Sequence, residues 1–334
     1  MAALATVACT NNKTMESGIR LENLDTTAVA GDDFYQYACG GWMKNNPLTG
    51  EYSRFGTFDK LAEDNKEQLR TLITGIAEKD NEPGTVAQKI GDLYNMAMDS
   101  VARNERGMEP IRPVMERITA LKSNKEVMPL VAELSRKGMG SFFHVYIDAD
   151  IMDSKQNLVQ IYQGGIALGE KEYYLDTDEA TTNIREAYKK HIVNMFRLAG
   201  LDEKAAEKKM KAVMRIETAI AEKSYSATEQ RNPAANYHKM TMVEMQEAFK
   251  SIDWNEYFTI LGIDSLEELS VSQPEPLAEV ARIISEEPTE NIVAYLQWNL
   301  LDGCAGELSD AFGDESFDFY GRILSGRKEQ QPRM

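Results

Sequence analysis

The sequence predicts a mainly α fold, a multi-helix lobe carrying one small antiparallel β element. Three observations predict it. Apolar residues recur at three-and-four spacing along most of the chain, which gives each helix one apolar stripe. Runs rich in β-branched and aromatic residues are confined to short segments, chiefly 142–148 (FFHVYID) and 157–163 (NLVQIYQ). No period of about 20–50 residues repeats, which argues against a solenoid.

Residues 10–30 are polar and aperiodic and read as a tether. The chain is organised around residues 31–64. Here Phe34, Tyr35, Tyr37, Trp42 and Tyr52 crowd a turn-rich segment that reads as a loop pinned into a core. Asp32 and Asp33 mark a helix N-terminus, and Gly40 with Gly41 is expected to end that helix. A longer helix starts at Phe58, with Leu61, Leu69, Leu72, Ile73 and Ile76 predicting one buried stripe. Asn81-Glu82-Pro83-Gly84 breaks it. A helix through Val86, Ile90, Leu93 and Tyr94 follows, then one opened by Pro110 and Pro113, and one through Val127, Leu130, Val131 and Leu134. Residues 142–148 and 157–163 pair antiparallel across a polar loop at 149–156. Two long helices come next, over about 179–199, closed by Gly200, and from Glu203 through Met210, Val213, Met214, Glu217 and Ile220. Thr241 with Glu244 fits a capping box, and 269–271 a short strand. Helices over 277–284, 292–300 and 317–324 finish the chain.

The 334 residues suffice for one large core or two smaller ones, and 43% hydrophobic with 27% charged residues excludes a disordered chain. A formal charge of −17 repels phosphate backbones, and no basic patch offsets it, so nucleic acid is not an expected partner. No run reaches the roughly 18 apolar residues of a membrane helix. Cys9, Cys39 and Cys304 are too few for a disulfide framework. The start, MAALATVACTNNK, has two readings. One is the tail of a bacterial lipoprotein signal, with Cys9 lipidated and the rest at the cell envelope, periplasmic or at the surface; the other is an apolar start without function.

Catalytic patterns are missing. There is no G-x-S-x-G elbow, and GGIALGEK at 164–171 lacks the Gly-Lys-Ser/Thr ending of a phosphate loop. The pairs Glu267-Glu268 and Glu286-Glu287 occupy adjacent positions and cannot face one point from a helix. His144, His191 and His238 lie 47 residues apart, so no two have metal-ligand spacing, and each reads as a core or capping group. Arg54 has a planar guanidinium suited to gripping a peptide carboxylate; the alternative is a structural ion pair with Asp59 or Glu63.

Three collinear blocks carry a family resemblance: FYQYACGGWMKNNP followed by SRFGTFDKLAEDNKEQL, RNPAANYHKMT at 231–241, and FYGRILSGRKEQQPRM at the end. From Gly31 to Met334 the chain resembles the amino-terminal, non-catalytic half of the neprilysin and endothelin-converting-enzyme family of zinc metallopeptidases. The resemblance implies a helical lobe facing a catalytic domain of the same polypeptide across an enclosed cavity that admits small peptide substrates. It implies zinc for the full-length protein, held by an H-E-x-x-H helix this chain lacks, and no cofactor here. The chain alone is expected to hydrolyse nothing, and residues 31–64 are expected to contact the catalytic domain. By the same resemblance Arg54 lines the substrate cleft, while a second arginine of some relatives is Ala62 here. The cysteine at position 39 bonds to the catalytic half in secreted relatives, but its usual companion is Gly31 here, so Cys39 reads as a buried free thiol. Two competing classes stand beside this reading: a non-catalytic peptide-binding envelope lipoprotein, and an unrelated helical enzyme with a dispersed site.

Overall fold

A computed structural model of the chain describes residues 18–333, so Cys9 lies outside the described residues. The chain divides into two compact units, Met1–Leu69 and Arg70–Met334.

In the first unit a 3₁₀ turn, Leu21–Asn23, precedes α1, Phe34–Asn45. Asp33 caps α1 by accepting the Gln36 amide at 2.8 Å. The helix does not stop at Gly40 and Gly41 as the sequence suggests but runs on to Asn45. The glycines serve close approach instead: a Cβ on Gly41 would lie 2.3 Å from the Glu22 carbonyl oxygen, and one on Gly40 2.7 Å from Asp25 Cβ. Asp25 is tied to α1 through its amide, which donates to Tyr37 O at 2.8 Å, and its carboxylate, which accepts from Gln36 Nε2 at 2.8 Å.

Helix α2, Thr57–Ala77, starts where periodicity places it. Its stripe is not buried. Phe58 is 87% exposed and Leu61, Leu69 and Leu72 are exposed too, while Ile73 and Ile76 are half-buried. Spacing shows which face is apolar but not what lies opposite, and among the described residues the stripe from Phe58 to Leu72 is left largely uncovered.

The second unit takes in the end of α2 from Arg70 and continues with α3, Val86–Met98, α4, Ser100–Arg106, α5, Arg112–Thr119, and α6, Val127–Ser135. Strands β1, Phe143–Asp150, and β2, Asp153–Gln163, form a hairpin longer than predicted, with His144 opposite Tyr162 and Ile147 opposite Val159. The expected eight-residue loop shrinks to a turn because Asp150 Oδ1 accepts the Met152 amide at 2.9 Å, an Asx-type closure. Helices α7, Glu172–Leu175, α8, Glu179–Leu198, α9, Glu203–Lys223, and α10, Ala227–Gln230, follow. Then come β3, Lys239–Thr241, α11, Met242–Ala248, α12, Trp254–Leu261, and β4, Glu268–Val271. Helices α13, Pro274–Glu286, α14, Thr289–Cys304, and α15, Asp310–Ser316, precede a π-helical segment, Phe317–Leu324.

The fold is mainly α, as predicted, but the sheet is larger than the expected antiparallel pair. Its order is β1-β2-β4-β3, with β4 parallel to β2 and antiparallel to β3. Three-residue β3 is too short to show alternation, and its pairing is decided by residues distant in sequence. Helix α14 is apolar nearly all round and packs against α9, α8 and α5, with Trp298 and Tyr295 fully buried. Trp254 is equally buried in a second aromatic cluster with Phe143, Tyr257 and Phe258.

Candidate functional site

Arg54 sits in the turn between α1 and α2, between two ring anchors. Trp42 stacks on Phe55 with ring centres 6.1 Å apart, and Tyr52 meets Phe55 edge-on at 4.9 Å. The Tyr52 hydroxyl donates to Glu63, and Asp59 Oδ2 accepts the Gly56 amide at 2.8 Å. Burial and the Glu63 bond push the Tyr52 hydroxyl up to about 12, and the hydrogen bonds from Tyr52 and Lys66 hold Glu63 below its ordinary value. Asp59 and Glu63 are thus engaged elsewhere, and the exposed Arg54 makes no ion pair among the described residues. The turn is braced from both sides and leaves its guanidinium in solvent.

The second unit holds a buried polar network. Glu217 occupies the apolar stripe of α9 at 1% exposure, with the Tyr174 and Tyr188 hydroxyls 2.9 and 2.8 Å from its Oε2. Trp298 Nε1 donates to the Tyr188 hydroxyl at 3.0 Å, and the Leu168 amide to that of Tyr174 at 3.1 Å. Burial pushes the Glu217 carboxyl up to about 8 against the opposing hydrogen bonds from Tyr188 and Tyr174, so at neutral pH it is mostly protonated. Next to it, His191 Nδ1 is 3.0 Å from Glu315 and Nε2 3.7 Å from Asp302, whose Oδ2 accepts from Tyr320 at 2.9 Å. Burial alone would lower the His191 pKa, but the Asp302 carboxylate beside its ring and the hydrogen bond with Glu315 outweigh that and raise it. The network ties α8, α9, α14 and α15 together. Sequence reasoning placed Glu217 on the helix stripe without giving it weight; a lone carboxylate at a core position was the signal.

The histidines do not converge. His144 is exposed on β1, His191 is enclosed by two carboxylates, and His238 Nδ1 lies 3.0 Å from the Val271 carbonyl oxygen. Among the described residues no group of three His, Cys, Asp or Glu could hold a metal, so the described side chains do not fit a zinc site. Cys39 and Cys304 are free thiols, and Cys39 is half-buried rather than buried. No helix among the described residues is long and apolar enough to cross a membrane.

Comparison with known proteins supplies the identity. The profile of peptidase family M13 matches residues 30–334. Endothelin-converting enzyme 1 of Rattus norvegicus is 29% identical over 331 residues, covering 94% of this chain and 42% of the relative. Membrane metallo-endopeptidase-like 1 of Homo sapiens is 28% identical, covering 94% of this chain and 43% of its own. Zinc metalloprotease Zmp1 of Mycobacterium tuberculosis, solved with an inhibitor, superposes with a TM-score of 0.88 at 30% identity over 95% of this chain and 48% of that one. The chain thus spans less than half the length of these relatives. It belongs to peptidase family M13, as the amino-terminal domain of a neprilysin and endothelin-converting-enzyme type member.

Proposed function

We propose that this domain is the substrate-restricting lobe of a zinc metalloendopeptidase that cleaves small peptides, with Arg54 anchoring a substrate's terminal carboxylate. The observation that carries the reading is the family match over residues 30–334 together with coverage of only 42% of the relatives' length. The zinc and the hydrolytic step would then belong to a catalytic domain of the same polypeptide, and this domain would contribute substrate contacts alone. Two further features support the reading. The apolar side chains Phe34, Tyr35, Phe58 and Leu61 are exposed, as a surface for that domain requires. The Arg54 guanidinium stands beside the Trp42–Phe55–Tyr52 stack with no acidic partner among the described residues.

The test uses the complete peptidase and a pair of peptides differing only in a free or amidated C-terminus. Arg54→Ala should lower kcat/KM about tenfold on the free acid, the scale of one charge-assisted hydrogen bond, and leave the amide nearly unchanged. An unaltered acid-to-amide ratio removes Arg54 from the substrate's path. The domain reading is tested separately with an antibody against this chain: a native band near 37.6 kDa, rather than about twice that, favours a stand-alone peptide binder.

A further inference from the structure

A half-open cavity of about 490 Å³ in the second unit is lined by α4, α15, the π-helical segment and residues 330–333. Its charged lining is three arginines, Arg103, Arg327 and Arg333, against two aspartates, Asp310 and Asp314. That is a locally cationic surface on a chain of formal charge −17.

The donors are only partly used. Arg103 gives Nη2 to Asp310, but its Nε and Nη1 are buried without an acceptor. Asp310 is already committed: its other oxygen accepts from Asn104 Nδ2 at 2.6 Å. Arg327 lies over the Phe317 ring, 5.4 Å from its centre, with Nε buried and likewise without an acceptor. Phe317 is itself pinned over Gly321, where a Cβ would come within 2.3 Å of the ring. Arg333 is turned aside to Glu307, 3.5 Å away, and to the Gly306 carbonyl. Buried charged N–H groups without acceptors are rare, because removing them from water is costly. Two guanidiniums lining one cavity, one of them placed over an aromatic ring, match a carboxylate or phosphate oxyanion.

We propose that this cavity binds the oxyanion group of a small soluble ligand, held by Arg103 and Arg327. The bound anion pairs with the two guanidinium charges that line the cavity and fastens residues 327–333 to α4 and α15. The site shares no residue with the Arg54 turn and does not depend on the function proposed above.

The experiment titrates the 334-residue chain with sodium phosphate and, separately, sodium acetate, at ionic strength held constant with sodium chloride, reading heat and melting midpoint. At least one oxyanion should bind saturably and raise the midpoint. Arg327→Gln, which leaves the Arg103–Asp310 pair intact, should weaken that binding at least tenfold. Arg327→Lys should weaken it nearly as much, because the charge remains but the fork is lost. Exposed Lys328→Gln should leave it within about twofold, and circular dichroism confirms that each variant is folded. Preference for acetate identifies a carboxylate ligand, and preference for phosphate a phosphate one. The proposal is overturned if neither anion acts beyond chloride, or if folded Arg327→Gln and Arg327→Lys bind as the parent does.

Discussion

Replacing Glu217 with Gln should flatten the pH dependence of the domain's stability. In the folded state the carboxyl is pushed from 4.5 up to about 8 by burial, with the Tyr188 and Tyr174 hydroxyls opposing and the Asp302 charge adding to the rise. The folded chain therefore holds a proton that the unfolded chain releases above about pH 4.5. A raised folded-state value gives support that is full below pH 4.5 and is lost as pH climbs through about 8. At about 1.4 kcal/mol per pH unit, the interval amounts to about 5 kcal/mol. Gln cannot ionise, so it mimics the protonated side chain at every pH, at a fixed cost of about 1 kcal/mol for an imperfect hydrogen bond. Urea midpoints of both proteins between pH 5 and 9 measure the difference. The parent should be the more stable at pH 5, the curves should cross, and Glu217→Gln should be the more stable by several kcal/mol at pH 9. A difference that stays constant with pH would refute the reasoning, since it would mean that Glu217 ionises alike in both states.

His191→Gln should cost about 3 kcal/mol at pH 6, because it leaves Glu315 and Asp302 without their cation. The His191 pKa is raised, so its support is full below about 6.5 and fades as pH rises through the folded value; urea titrations at pH 6 and 9 should show the gap narrowing. Gly165→Ala should cost about 2–4 kcal/mol by thermal melting. Its φ is +81°, and a Cβ would lie 2.8 Å from the Phe142 carbonyl oxygen and 3.0 Å from the Tyr295 hydroxyl. Arg54→Ala, by contrast, should move the melting free energy by less than about 0.5 kcal/mol, since the side chain is exposed and unpaired.

Local chemistry is what the sequence displayed most plainly. Gly200 closes α8 at φ +95°, and Thr241 and Glu244 form the capping box that opens α11. His191, read as a core group from its place on a stripe, is 1% exposed. What escaped depends on partners remote in the chain. Gly40 and Gly41 look like a helix stop until the Glu22–Asp25 backbone is laid against them. The stripe at Phe58 looks like core because periodicity carries no information about a covering surface. Strand β3 exists only because β4 returns beside it. Arg103 and Arg327 belong to opposite ends of the second unit, and no spacing rule joins them.

The placement of the three tryptophans has an optical consequence. Trp42 belongs to the first unit, half-buried on Phe55, whereas Trp254 and Trp298 are wholly enclosed in the second. Trp298 also donates to Tyr188 within the polar network, so its emission reports on the neighbourhood of Glu217. Replacing Trp42 by Phe therefore leaves a protein whose indole fluorescence comes from the second unit alone. The spectrum it loses is that of the turn presenting Arg54, so unfolding titrations of parent and variant, taken together, separate the first unit's signal from the second's.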